Sequence, residues 1–262
     1  VRGLFVTGTD TGVGKTVLAA SIVAALRARG EQVRALKPVL SGLDEPSDPA
    51  WPHDHELLAR AGGVDPDTVA LLRYGPAVSP HLAAELAGEP IDPRALRRQI
   101  RAVGRNHGTV VVEGVGGLLV PLAPGYDVRR LARDLDLRLV IAARPGLGTI
   151  NHTLLTLEAA RRARLEIASV VLTPWPDTPS VIEQSNRDTI ARLGDVPVAT
   201  LPRVEAATAH QLAAAGATLP LAEWLPNPRP SPRPRYPTVF ASRSRSLAIA
   251  WASVARRATR LL

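Results

Sequence analysis

Val6-Thr7-Gly8-Thr9-Asp10-Thr11-Gly12-Val13-Gly14-Lys15-Thr16 lies between a short apolar run, Leu4-Phe5-Val6, and a stretch from Val17 to Gly30 with apolar residues at helical spacing. Strand, glycine-rich turn and helix start is the context in which backbone N–H groups and a helix N-terminus converge on a phosphate. Gly8, Gly12 and Gly14 permit close approach, Lys15 can reach the β- and γ-phosphates, and the Thr16 hydroxyl can ligate Mg²⁺. Gly12, Val13, Gly14, Lys15, Thr16 and Val17 are therefore the candidate phosphate cradle. The spacing is unusual: five residues, not four, separate Gly8 from Gly14, and Thr9 stands where the first glycine of a P-loop falls. Taken alone, the stretch is either a nucleotide site with an altered loop or a glycine-rich turn that imitates one.

A second strand, "QVRALKPV", follows Gly30 and is expected to close at Pro38. The unit is thus βαβ. Apolar runs at 109–117, 138–146, 168–175 and 197–202 alternate with helical patterns near 93–106, 127–134, 148–163 and 178–192. Near-continuous Val, Ile and Leu runs mark strands buried on both faces. The expected fold class is α/β, a P-loop NTPase-like parallel sheet flanked by helices on both faces, with ligands beyond the C-terminal strand ends. An Ala-rich segment at 204–225 reads as a last helix. Residues 1–225 form the expected domain; 226–262 is a Pro- and Arg-rich linker with a basic extension, read as a poorly ordered tail or a surface helix.

The chain has 262 residues, a net charge of +8 and no Cys, so disulfides, thiolate metal sites and cysteine nucleophiles are excluded. The charge is uneven: eight Arg against Glu223 between residues 207 and 262 give +7, leaving +1 for the rest. Basicity therefore carries no argument for nucleic acid at the main domain. No run spans a bilayer and no signal-peptide pattern is visible, so a cytoplasmic location is expected. Of the 32 basic residues, Lys15 and Lys37 alone are Lys. A compact ammonium at those positions suits a site that a planar guanidinium would overfill.

Two carboxylates suit a phosphate-bound Mg²⁺. Glu113 ends "TVVVE" before Gly114-Val115-Gly116, and Asp54 lies in "HDHELL" at a helix start. Their plainer alternatives are a strand-end surface acid and a helix N-cap. His53 and His55, flanking Asp54, are expected to be solvated.

Together "VTGTDTGVGKT", "KPVLSG" (37–42), "SPHLAAE" (79–85), "VEGVGGLLVP" (112–121) and "GLGTINHTLLT" (146–156) resemble the dethiobiotin synthetase family, in order, from about residue 3 to 202. That family's P-loop carries the same extra residue. The resemblance implies ATP-dependent ureido ring closure on 7,8-diaminononanoate with CO₂, with Mg²⁺ as cofactor. It implies Lys15 and Lys37 as catalytic residues, Lys15 on the nucleotide phosphates and Lys37 on the carbamate and developing phosphoryl charge. It further implies Thr16, Asp54 and Glu113 at the metal, and Thr11 and Ser41 at the substrate. Asp54, Glu113, Gly114, Val115 and Gly116 join the nucleotide site. Gly148, Thr149, Ile150 and Asn151 would hold the substrate carboxylate of a partner subunit, which makes a homodimer with shared sites.

One departure stands out. Where many members carry an Asn-Asp pair to read adenine, this chain has Thr173-Pro174. Thr lacks the two-sided edge of an amide and Pro lacks an N–H, so loose base selection is expected. The rival from another class is a partitioning-type P-loop switch that binds DNA or membrane. Such switches use a second lysine within the loop, where this chain has Thr11-Gly12. A glutamine-dependent amidotransferase would need a cysteine nucleophile.

Overall fold

A computed structural model describes residues 2–48 and 50–225; the linker and basic extension expected at 226–262 lie outside the described residues. The apolar run at the start forms β1 (Arg2–Gly8), and the helical pattern behind the loop forms α1 (Lys15–Ala28). β2 (Val33–Leu40), α2 (Asp54–Gly62), β3 (Ala70–Arg73), α3 (Pro80–Ala87) and α4 (Pro93–His107) follow. Next come β4 (Thr109–Gly117), a small hairpin of β5 (Pro121–Ala123) and β6 (Tyr126–Asp127), and α5 (Val128–Leu135). β7 (Arg138–Ala143), α6 (Thr149–Arg162), β8 (Ile167–Trp175), α7 (Val181–Gly194), β9 (Val198–Pro202), α8 (Ala209–Gly216) and α9 (Leu221–Trp224) are the last elements of the described residues.

The large sheet has seven strands in the order β3-β2-β4-β1-β7-β8-β9, and its pairings are parallel. β1 is central, so the loop after it opens at the middle of the sheet's C-terminal edge. Alternation along the strands splits the core in two. Leu4, Val6, Val111 and Val140 pack with α1, α2, α8 and α9, while Phe5, Val110, Val112 and Ile141 pack with α4, α5 and α6 on the other face. The expected α/β architecture with both faces covered is what forms.

Three expectations need correction. Pro38 does not close β2; the strand runs on to Leu40. The Lys37 N–H donates to Val69 O of the β3 side at 3.0 Å, so the next N–H along would point to β4. The β2–β4 ladder has already ended at Leu36↔Val112, and a residue without an N–H forfeits no bond there. The Ala-rich 204–225 segment is two helices, α8 and α9, interrupted at Pro220. His55 is not solvated but 7% exposed, with its Nδ1 unpartnered, and its ring lies 6.2 Å from that of His53.

Candidate active site

The altered loop has a simple geometry. Thr9 N–H donates to Ala142 O at 3.0 Å, which extends the β1–β7 ladder by one residue, so the turn proper begins at Asp10. The extra residue is thus absorbed by the strand. Gly14, at φ 87°, is the N-cap of α1, a conformation that L side chains rarely adopt. A Cβ on Gly8 would stand 2.7 Å from Val13 Cγ2 and 3.0 Å from Lys15 Cδ, so the loop folds back on its own root. Lys15 Nζ donates to the Asp10 carbonyl at 2.7 Å. Burial is the largest influence on that amine and lowers its pKa; the Lys37 charge pushes the same way, and Glu113 opposes.

Four side chains from four elements meet beside this loop. Lys37 Nζ from β2 donates to Glu113 Oε1 of β4 and to Asp54 Oδ2 of α2, each at 2.6 Å. The Thr16 hydroxyl lies 2.8 Å from Asp54 Oδ1 and 2.9 Å from Glu113 Oε1. Lys37 is 3% exposed and Glu113 1%. Burial works against the Lys37 charge, but Glu113 and then Asp54 outweigh it and raise its pKa, so the ammonium persists. Burial pushes the Glu113 carboxyl up, with Lys37 opposing and Asp54 adding to the rise. Asp54 is lowered: burial works against its charge, and Lys37 overcomes it. Asp54 opens α2 as its first residue, with His53 as N-cap, so its carboxylate is free to face Thr16 and Lys37. Neither plainer alternative, surface acid or N-cap, holds.

A cleft of about 790 Å³ opens over the cluster. Of the expected residues, Thr11, Gly12, Gly14, Lys15, Thr16, Val17, Lys37, Ser41, Asp54, Glu113, Val115 and Gly116 line it. Ser41 Oγ donates to Val78 O at 2.8 Å. Val13 instead packs in the core, 3% exposed, and Gly114 lies between Phe5 and Val128, where a Cβ would be 3.1 Å from each. Thr173 and Pro174 line a neighbouring pocket of about 190 Å³ with Pro202, Arg203 and Val204. Gly148, Thr149, Ile150 and Asn151 form the start of α6 and are absent from the cleft lining. The Thr149 side chain is buried, 3.5 Å from the Thr153 hydroxyl. Sequence reasoning gave no role to Trp51, which lines both cavities, or to Pro202–Val204. The latter had a signal, since they sit at and just beyond the C-terminal end of β9; Trp51 had none.

The donor set fits Mg²⁺. Two carboxylates and one hydroxyl converge within hydrogen-bond distance, and Glu113 Oε2 is buried without a partner. Mg²⁺ prefers such oxygen ligands and takes the rest from phosphates and water.

A family model described as an AAA domain matches residues 2–211. The ATP-dependent dethiobiotin synthetase BioD of Haloferax mediterranei is 40% identical over 197 residues, 75% of this chain and 82% of that protein. The proteins of the same name from Anaeromyxobacter dehalogenans strain 2CP-C and Mycobacterium marinum are each 43% identical, covering 77% and 72% of this chain and 90% and 82% of their own length. Among solved structures, a ParA family ATPase from Chlorobium tepidum matches with a TM-score of 0.50 at 16% identity over 84% of this chain and 92% of its own. The Pyrococcus furiosus cell division ATPase MinD gives 0.50 at 18%, over 83% and 95%. At those identities the structural likeness speaks for a shared fold alone. Identity of 40–43% to these proteins over most of both chains shows the family: this chain belongs to the dethiobiotin synthetases.

Proposed function

We propose that the protein closes a ureido ring on 7,8-diaminononanoate, using CO₂ and ATP and releasing ADP and phosphate. The observation that carries this reading is the buried Lys37 ammonium held 2.6 Å from two carboxylates, in one cleft with the phosphate loop. One amine of the substrate attacks CO₂ and loses a proton, giving a carbamate. A carbamate oxygen then attacks the γ-phosphorus, and the bond to ADP breaks. The second amine attacks the carbonyl carbon of the mixed anhydride and loses a proton, phosphate leaves, and the ring closes.

Transfer of this kind rests on positioning and charge neutralisation. Lys15 leaves the Asp10 carbonyl to meet the nucleotide phosphates. Lys37 remains charged and neutralises the carbamate and the phosphoryl oxygens. Thr11 and Ser41 stand on the cleft wall for the diamine end. Thr16, Asp54 and Glu113 would hold Mg²⁺, which when bound would supply charge neutralisation for the transferring phosphoryl group. In this reading residues 1–225 are the catalytic unit.

The family resemblance gives the substrate carboxylate to Gly148–Asn151 of a second copy, and those residues stand outside this chain's own cleft. Helix starts offer N–H groups with no intrahelical acceptor. Leu147 is 98% exposed next to them, and Leu119 and Leu155 are exposed along the adjoining groove, an apolar surface that suits a homodimer. We infer a cytoplasmic enzyme, in keeping with a chain that has no cysteine. Among the described residues no helix is long and apolar enough to cross a membrane.

Mass detection of dethiobiotin from diaminononanoate, bicarbonate, Mg²⁺ and ATP tests the function. Phosphate release should depend on both diamine and bicarbonate. Release that responds to DNA or lipid and ignores the diamine would favour a partitioning switch instead.

The base is assigned to the pocket at Thr173 and Pro174. With no Asn amide edge at that position, turnover with at least one other nucleoside triphosphate should approach that with ATP. Steady-state rates at matched concentrations check this, and strict ATP dependence would overturn it.

A further inference from the structure

Trp51 stands where two cavities meet. It lines both the main cleft and the 190 Å³ side pocket, and the residues it shares in that position are Gly14, the N-cap at the phosphate loop, and Val17. A nucleotide with phosphates at Gly12–Thr16 and its base in the side pocket has to pass this junction. The pocket's other walls are largely apolar: Pro174, Pro202 and Val204, with Thr173 and Arg203 as its polar members. Such a lining offers little to read the hydrogen-bonding edge of a base.

The indole is also held. Trp51 is half-buried and packs against the apolar cluster under α1 and α2. The Trp51 backbone N–H donates to Asp48 O at 2.9 Å, and the Ala50 N–H donates to Asp48 Oδ1 at 2.8 Å, which ties down the main chain that carries the indole. An aromatic surface packed at the mouth of an apolar pocket is what a flat, polarisable ligand stacks upon.

We propose that Trp51 is a base-stacking residue, which selects a nucleotide by the face of its base and not by its edge. This rests on the reading that the base occupies the side pocket. Every base has a π-face, so stacking adds affinity without discriminating strongly among bases. The same residue would then supply base affinity beside Thr173-Pro174, where no amide edge is present.

The test compares ATP with tripolyphosphate, which has the phosphates and no base, by calorimetry in the presence of Mg²⁺. The wild type should bind ATP more tightly. Trp51→Ala should weaken ATP about ten-fold and leave tripolyphosphate unchanged, with a similar loss for GTP and CTP. Trp51→Phe should keep most of the affinity, and ATP should quench tryptophan emission more in the wild type than in Trp51→Phe. Equal binding of ATP and tripolyphosphate by the wild type would overturn the base-pocket reading itself. A wild-type preference for ATP that survives in Trp51→Ala would overturn the role of Trp51 alone, and a loss confined to ATP would overturn selection by face.

Discussion

Lys37→Arg should lower kcat by about a hundred-fold or more, the scale expected when a preorganised charge at a reacting oxygen is displaced. Both residues are cations, so the charge of the cluster is unchanged and the effect isolates shape. The ammonium donates to Glu113 and Asp54 from a single atom, each contact at 2.6 Å, and the side chain is 3% exposed. A guanidinium is longer, planar and wider, and it distributes its donors along a fork. To fit, it must push the carboxylates apart or withdraw its head into the cleft where the carbamate has to sit. Overpacking of this kind costs about 1–3 kcal/mol, which lowers the thermal midpoint of a domain this size by up to roughly 10 °C. The folded state therefore survives while turnover does not. Steady-state rates together with a melting curve check this, and near wild-type kcat would remove Lys37 from the role given to it.

Much of the fold was legible because the strands are long and buried on both faces. Val110, Val111, Val112, Leu139, Val140 and Ile141 are essentially inaccessible, and such runs announce themselves. β3 gave no comparable signal: Ala70–Arg73 is a four-residue edge strand whose last three residues are half-buried or exposed. Pro38 misled for a different reason. Its effect depends on which neighbour the missing N–H would face, and that is a property of the sheet, not of the strand.

The candidate site was legible to the extent that it is made of rare residue types. Lys15 and Lys37 stood out against 30 Arg, and the structure brings Lys37, Glu113, Asp54 and Thr16 to one point. Thr9 explains why the loop looked wrong on paper: one residue of apparent loop is ladder. Trp51 carries no signal of its own, because its place beside Val17 is set by tertiary packing that no local pattern encodes.

Glu113→Gln should reduce kcat by about two orders of magnitude and shift the Mg²⁺ concentration for half-maximal turnover upward about ten-fold or more. Glu113 Oε1 accepts from both Lys37 and Thr16, while Oε2 is buried without a partner. In the amide, one oxygen can still serve Lys37 and Thr16, but the NH₂ group then replaces the unpartnered oxygen and offers a cation only hydrogens. The charge balance changes too. Two ammonium groups now face the single carboxylate of Asp54, so the cluster becomes more positive and repels a metal ion. The same change has the opposite sign for bare nucleotide, because one negative charge beside the phosphates is gone. ATP binding measured in EDTA should therefore be as tight as in the wild type or tighter, even as Mg²⁺-dependent turnover collapses. Lys37 keeps Asp54 as a partner, so the buried ammonium is not stranded and the fold is retained. A variant that lost metal-free nucleotide binding in proportion to turnover would show that Glu113 only supports the structure. Loss of turnover with metal-free binding intact is the signature of a carboxylate that holds Mg²⁺.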